Sequence, residues 1–145
     1  MADAYPLTVY SFTVNIDGKT VTGGFSECTG LTMDNDVIEY RTGIDPAHMR
    51  KLPGLRKFTN IVLKRGFVKD DTLYKWRKDV IDGKPGFRTH GSITLNGEDF
   101  KPVLQWDFYD AWPNKLEGPG LNAKNNEVAV ETLEIVVERL EFKTV

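Results

Sequence analysis

The sequence has few of the residues that most often carry chemistry. Its 145 residues include one cysteine, Cys28, and two histidines, His48 and His90. A lone cysteine excludes an intrachain disulfide and any cysteine-rich metal site. Neither histidine has a Cys or Glu at zinc-site spacing, and no loop of the phosphate-cradling type is present. The residues therefore predict no catalytic centre, no metal site and no cofactor.

Long apolar runs and a strong charge of one sign are also missing. No segment reaches the ~18 consecutive apolar residues of a membrane helix, and the N-terminus lacks the basic and apolar regions of a secretory signal. The formal net charge of -2 argues against nucleic-acid phosphate as the main ligand. We expect a chain that folds in a reducing cytoplasm and does not itself insert into a membrane.

What the sequence does contain is a succession of β patterns. Apolar and polar residues alternate in Val9–Ile16, Asp17-Gly18 is typical of a type I′ hairpin turn, and Lys19–Cys28 returns as the second arm. Further strands are predicted over Met33–Tyr40, Lys57–Phe67, His90–Leu95, Glu98–Tyr109 and Glu127–Phe142. The last segment is long and its apolar positions change parity twice, which indicates bulges and a strong bend.

One helix interrupts the strands. Over Asp70–Asp82 an apolar stripe contains Leu73, Trp76 and Val80, and Gly83 can end the helix in a left-handed conformation. Six or seven antiparallel strands with one packed helix predict a mainly β fold, an α+β sandwich or small barrel. We expect a single domain over residues 1–145.

Two long connections are predicted to be the functional parts. Arg41–Arg56 is basic and partly apolar, and its prolines reduce the entropy lost when it becomes ordered. Asp110–Asn126 carries Trp112, Leu116 and Leu121. A domain this small has little surface to cover these side chains, so they predict an interface. The alternative is that both connections fold back over the ends of the barrel.

The distribution of charge favours self-association. The first connection is basic, while one side of the last strand carries Glu131, Glu134, Glu138 and Glu141. Two different complementary surfaces on one molecule produce heterologous contacts, which close into rings or propagate as filaments.

Several motifs resemble one protein family over nearly the whole chain. The sequence is similar to the tail tube, or inner tube, proteins of contractile phage tails and phage-tail-like injection systems. The motifs are FSECTGL at 25–31, IEYRTG at 38–43, KLPG at 51–54, LKRG at 63–66 and the segment from Ala111 to Leu140 that begins AWPNKLEGPGLNAKNN.

The resemblance implies a structural subunit with a fold similar to the type VI secretion tube protein. Such subunits form hexameric rings that stack into a hollow tube, inside a sheath and between baseplate or spike proteins and tube terminators. DNA or a protein cargo passes through the lumen. The particle would be assembled in the bacterial cytoplasm as a virion tail or as a phage-tail-like device, either released or membrane-anchored.

The resemblance also implies which residues make contacts between copies. The first connection is expected to reach the adjacent ring. The candidates are Arg41, Asp45, Met49, Arg50, Lys51, Leu52, Pro53, Leu55, Trp112 and Leu116. Two other classes stay open from the residues alone: a small-ligand-binding β-barrel, which would need a cavity of ~300 Å³ or more, and an enzyme, for which the residues offer no candidate site.

Overall fold

The structure, a computed structural model, describes residues 11–21, 24–41, 43, 48–66, 70–121, 123–124 and 129–145. These residues form ten strands and one helix. In chain order they are β1 (Ser11–Ile16), β2 (Lys19–Thr20), β3 (Phe25–Thr29), β4 (Met33–Tyr40), β5 (Arg50–Phe58), β6 (Ile61–Gly66), α1 (Thr72–Ile81), β7 (Thr89–Asn96), β8 (Pro102–Glu117), β9 (Val130–Val136) and β10 (Arg139–Thr144). The mainly β fold with one helix is confirmed.

Eight of these strands form one antiparallel sheet that folds into two layers. Its order is β2-β1-β7-β8-β9-β6-β3, and β10 pairs with β8 beside that path. The layers face each other, with the Phe12 and Phe25 ring centroids 6.5 Å apart. Between them lie Val14, Ile93, Phe108, Leu63 and Ile135, all at most 2 % exposed. Burial of these apolar side chains is the main stabilising term of the fold.

The long strand β8 joins the two layers. Its first half pairs with β7 and β10, and its second half pairs with β9. The change occurs at Asp110, whose φ of 52° turns the chain sharply. Pro113 follows in the second half, opposite Ile135. Because β7 pairs no further along than Ala111, Pro113 lies where β8 has one free side, a position at which proline is tolerated.

Local signals in the sequence predicted several turns and the helix correctly. Asp17 and Gly18 have φ values of 55° and 77°, as the type I′ turn requires, and Gly83 has φ 67° after α1. The Asp70 carboxylate accepts hydrogen bonds from the backbone N–H and the hydroxyl of Thr72 at the start of α1. On the inner side, the Leu73 side chain is buried.

The segment Arg41–Arg56 is not the long loop that its prolines and glycines indicate. β5 begins at Arg50 and pairs with β4, so much of the segment is half of a two-stranded ribbon. Pro53 and Gly54 fit there because each strand of a two-stranded ribbon has a free edge, and a bulge lies nearby. The strand predicted over Lys57–Phe67 is confirmed over β6, but its start is wrong, since β5 ends at Phe58 and β6 begins at Ile61.

Two further boundaries differ from the sequence prediction. The Asn96-Gly97 hairpin exists, but its strands are joined through residues 97–101 with Phe100 at φ 59°, so β8 begins at Pro102 rather than at Glu98. The bent strand predicted over Glu127–Phe142 is β9 followed by β10, interrupted at 137–138, and both pair with β8. Residues 127–128 of that prediction lie outside the described residues.

A buried ion pair crosses the second layer. Arg65 and Glu131 are register partners on β6 and β9, and the Arg65 side chain is 0 % exposed. Its Nε donates to Glu131 Oε2 at 2.9 Å, its Nη1 lies 3.6 Å from Asp70 Oδ2, and its guanidinium lies over the Phe25 ring. Ile61, Leu63 and Arg65 lie on the buried side of β6, so Arg65 occupies a position where the pattern favours an apolar side chain. The pair therefore links both strands to the start of α1.

Removing one partner of this pair should be costly. We expect Glu131→Gln to lower the free energy of unfolding by roughly 3 kcal/mol, because it removes a carboxylate charge from the buried Arg65 guanidinium. The double variant Arg65→Met with Glu131→Leu should be nearer to wild type, since it removes both charges. Urea denaturation measures both values. Equal losses in the single and the double variant would contradict the account.

The Asp70 carboxylate should make stability depend on acid pH. The hydrogen bonds from Thr72, aided by the Arg65 guanidinium, lower the pKa of Asp70 below its ordinary value. A lowered folded-state pKa stabilises the fold above the unfolded-state pKa of about 3.9, and this contribution is lost as pH falls through the folded-state pKa. We expect Asp70→Asn to be less stable than wild type at pH 7, with the difference shrinking at pH 3. A difference that stays constant in urea denaturation at both pH values would contradict the assignment.

Candidate assembly surfaces

The ribbon formed by β4 and β5, together with the adjoining residues Arg41 and Met49, is called the arm below and extends away from the two-layered sheet. Its strands pair with each other and not with the main sheet. At the base, Phe58 packs against the core, and the hydroxyl of Thr59 donates to the Gly30 carbonyl. Beyond the base, the described residues of the arm make no more than marginal contact with other strands or with α1. The alternative that the first connection folds back over the barrel is therefore wrong for the part of it that lies in β5, Arg50–Arg56.

The arm exposes apolar side chains on both of its faces. Those exposed by about half or more are Met33, Val37, Ile38, Tyr40, Met49, Leu52 and Leu55. An isolated two-stranded ribbon is at best marginally stable in water, and contiguous exposed apolar surface marks an interaction site. The arm is the strongest candidate for a surface that another molecule covers.

Alternation divides the arm into two faces. Directly opposed residues share a face, and successive residues of a strand point to opposite faces. The pairs Ile38↔Leu52 and Tyr40↔Arg50 therefore lie on one side. The pairs Val37↔Pro53 and Glu39↔Lys51 lie on the other side.

Most contact residues expected from the sequence lie on the arm and are exposed. These are Arg41, Met49, Arg50, Lys51, Leu52, Pro53 and Leu55. Asp45 lies outside the described residues. The structure thus brings the main group of candidates together on one projecting element.

Trp112 and Leu116 are placed elsewhere. Both lie in β8 rather than in a loop, and both are half-buried. The Trp112 ring meets the Phe87 ring edge-on, with centroids 6.4 Å apart, while Leu116 packs against the core opposite Leu133. Sequence reasoning read Trp112-Pro113 as a loop signal and missed that proline can occupy a strand with one free side.

The margins of the folded sheet are a second candidate surface, which sequence reasoning did not locate. β10 pairs with β8 on one side only, and β3 pairs with β6 on one side only. The Val145 N–H donates to the Val103 carbonyl. By the alternation of an antiparallel ladder, the backbone groups of Leu140, Phe142 and Thr144 then point away from β8. Such a row of outward N–H and C=O groups is a template for pairing with another chain.

The outer side of the first layer is polar across four strands. We call it the polar face. Two rows of neighbouring residues cross the four strands. The first row is Thr13, Thr94, Gln105 and Lys143, and the second is Asn15, Ser92, Asp107 and Glu141. Arg139 and Tyr109 continue it. Opposite these residues, the inner side of the same strands carries the apolar core.

Charges on the polar face are neutralised within the chain. Lys143 Nζ lies 3.5 Å from Asp107 Oδ2, and an Arg139 nitrogen lies 3.4 Å from Glu141 Oε1. The Arg139 guanidinium also stacks over the Tyr109 ring at 4.1 Å. The face therefore presents hydrogen-bonding groups with little net charge.

The acidic side predicted for the last strand does not exist as such. Glu131 is buried against Arg65, Glu134 accepts a hydrogen bond from Asn60, and Glu138 pairs with Arg88 at 2.6 Å. With Glu141 paired as well, these carboxylates already have partners in their own chain. An acidic strand is thus not a ready complement for the basic arm, and the sequence reasoning on this point is wrong.

The described residues were compared with the features of a nucleophile, a metal site and a membrane-spanning helix. Burial raises the pKa of the Cys28 thiol to about 11, which opposes formation of the thiolate that a nucleophile requires. The described residues hold no group of three or more His, Cys, Asp or Glu side chains that could bind a metal ion. In the described part of the chain, no helix has the length and apolarity needed to cross a membrane.

Comparison with solved structures shows extensive similarity. A chain of the sheath-tube complex of an extracellular contractile injection system (PVC, extended state) matches with a TM-score of 0.82 and 27% identity, covering 99% of this chain and 95% of that one. The anti-feeding prophage cap matches with a TM-score of 0.81 and 28% identity, over 97% and 93%. A type six secretion system protein shares the fold alone, at 9% identity and a TM-score of 0.64, over 91% and 83%.

Sequence comparison identifies the family. No curated protein sequence matches this chain. The model of the T4-like virus tail tube protein gp19 family, however, matches residues 8–141. That span includes the arm, the polar face except Lys143, and the first half of β10. The chain belongs to the T4-like virus tail tube protein family.

Proposed function

We propose that this chain is the structural subunit of a hollow inner tube, in which six copies form a ring and rings stack. It would act as one domain, without catalytic turnover and without a cofactor. The observation that carries the proposal is the combination of a polar, charge-neutralised face and a β10 margin with unpaired backbone groups on the same layer. A wall built from copies needs both features.

The geometry of the first layer supports the proposed ring. This layer ends at β10 on one side, and at β2 with the start of β1 on the other. If β10 of one copy lies beside the β1–β2 margin of the next, the outward backbone groups of Leu140, Phe142 and Thr144 obtain partners. The polar face then lines a water-filled lumen continuously, and the core of each copy faces outward.

The arm is proposed to connect stacked rings. It carries exposed apolar side chains together with Arg50 and Lys51. Contacts repeated on every copy add up along a tube even when each contact is modest. Arg41, Met49, Leu52, Pro53 and Leu55 complete the proposed contact, whereas Trp112 and Leu116 would act by packing within the body of the chain.

The partners of the proposed tube are a sheath outside, baseplate or spike proteins and a terminator at its ends, and cargo inside. The PVC relative comes from a sheath-tube complex and the anti-feeding prophage relative from a tube-terminating cap, which supports the sheath and the terminator. The particle would be assembled in the bacterial cytoplasm as a phage tail or as a phage-tail-like injection device.

Purified protein at high concentration should form stacked annuli visible by negative-stain electron microscopy. Phe142→Pro should abolish them, because it removes an outward-pointing N–H from the middle of the β10 margin. Proline is tolerated on an edge strand when its missing N–H faces outward, so the monomer should still fold by circular dichroism.

Phe142→Ala is the matched control for this test. It removes the same ring, which lies 5.3 Å from that of Trp106, but keeps the N–H. Annuli in the Ala variant and none in the Pro variant are expected. Rings of normal yield in Phe142→Pro would contradict closure through β10, and a wild-type protein that stays monomeric at every concentration would contradict the tube function.

Charge reversal at Arg50→Glu together with Lys51→Glu should block stacking and leave the body folded. In Lys51→Glu the new carboxylate would face Glu39 across the arm, and the two like charges would repel each other. The two substitutions together would also remove the basic character of the arm. Lys75→Glu with Lys78→Glu on the exposed side of α1 makes the same change in net charge elsewhere. Electron microscopy should show single rings for the arm variant and tubes for the helix variant. Tubes of normal length in the arm variant would contradict the proposed role of the arm in stacking.

A further inference from the structure

A mostly apolar cleft opens at the surface beside the free margin of β3. Its volume is about 310 Å³. Its apolar walls are formed by Phe12, Leu31, Ile93, Leu95 and Trp106. An apolar cavity of about 150 Å³ already admits a benzene-sized guest, so this cleft has room for two apolar side chains.

One of the residues that line the cleft is charged. It is Glu27, whose side chain is 52% exposed. Lys64 lies 3.5 Å away, but as a solvent-exposed pair this contact contributes little. Among the described lining residues no cation balances Glu27 inside the cleft. A fitting occupant is therefore an apolar pair of side chains with a cation next to it.

One face of the arm has this composition. Ile38 and Leu52 form a cross-strand pair, and Tyr40 and Arg50 form the next pair on the same side. Ile38, Tyr40 and Leu52 are each about half exposed. Gly54 borders them, and a Cβ there would come within 3.1 Å of the Ile38 side chain, so glycine keeps this face flat. We call Ile38, Tyr40, Arg50 and Leu52 the distal face.

The distal face cannot fill the cleft of its own chain. Leu31 in the cleft wall lies two residues before β4 begins. Ile38 lies five residues beyond that beginning, which at about 3.3 Å per residue places it roughly 16 Å out along the arm. The occupant that matches the cleft in apolar character and in charge is therefore the distal face of a second copy.

We propose that the distal face of one copy's arm docks into the apolar cleft of another copy, with Ile38 and Leu52 against the cleft walls and Arg50 near Glu27. The inference rests on the proposed tube function, since it names the receptor for the arm. The contact is heterologous, because arm and cleft are different surfaces, and it therefore repeats from copy to copy.

Disulfide trapping in assembled protein tests the contact. Ser26 lines the cleft and is exposed, so Ser26→Cys with Leu52→Cys, in a Cys28→Ala background, places one thiol in the cleft and one on the distal face. Cys28 is not used because its raised pKa would make oxidation slow. On oxidation we expect loss of most of the monomer band and a ladder of covalent multimers in non-reducing electrophoresis.

The matched control moves the arm thiol to the opposite side of the ribbon. Glu39 lies between Ile38 and Tyr40 in β4 and points away from the distal face, so Ser26→Cys with Glu39→Cys should leave the monomer band largely intact. A ladder of equal strength in both variants would show random collision and overturn the docking site. Assembled tubes of the Leu52 variant without a ladder would overturn it too, while the tube function would stand.

Hydrogen exchange of the unmodified protein covers the case in which the cysteine variants fail to assemble. Comparing free and assembled wild-type protein, we expect loss of deuterium uptake in peptides that span 26–31 and in those that span 50–53. Protection of 50–53 with unchanged uptake at 26–31 would overturn the cleft as receptor. Wild-type protein that forms no rings or tubes would overturn both the tube function and this contact.

Discussion

The need to pair backbone groups at sheet margins governs this molecule. Folding β8 through Asp110 lets one antiparallel sheet form both layers and enclose a core. The same fold leaves β10 and β3 each with one unpaired side, and it leaves the arm as a ribbon with two free edges. Natural proteins usually protect such edges with charges, prolines or short strands. Here the free edges lie next to polar and apolar surfaces suited to copies of the same chain.

Sequence patterns predicted the parts of the fold that local chemistry determines. The Asp17-Gly18 turn needs positive φ at both residues, and few other dipeptides adopt it. The helix follows from an apolar stripe ending at Gly83. Period-two alternation located β1 and β4 directly. In each case the signal is contained in neighbouring residues, so no knowledge of the rest of the chain was needed.

The parts that sequence patterns missed depend on distant residues. Pro53 with Gly54, and Trp112 with Pro113, read as loop signals, yet both pairs lie in strands because the neighbouring strand is absent on one side. The partners of Glu131 and Glu138 are Arg65 and Arg88, dozens of positions away, so their neutralisation was not visible in sequence. Resemblance to a family supplied the contact candidates on the arm, but only the register of β4 and β5 divides them between two faces.

The continuous course of β8 has a mechanical consequence. Because one strand belongs to both layers and β9 and β10 follow it on the same side, the layers cannot slide past each other without breaking a shared ladder. Each copy should therefore behave as a stiff wedge. In a column of such wedges, compression and bending would be absorbed at the junctions between copies, and the resistance of the column to buckling would depend on those junctions.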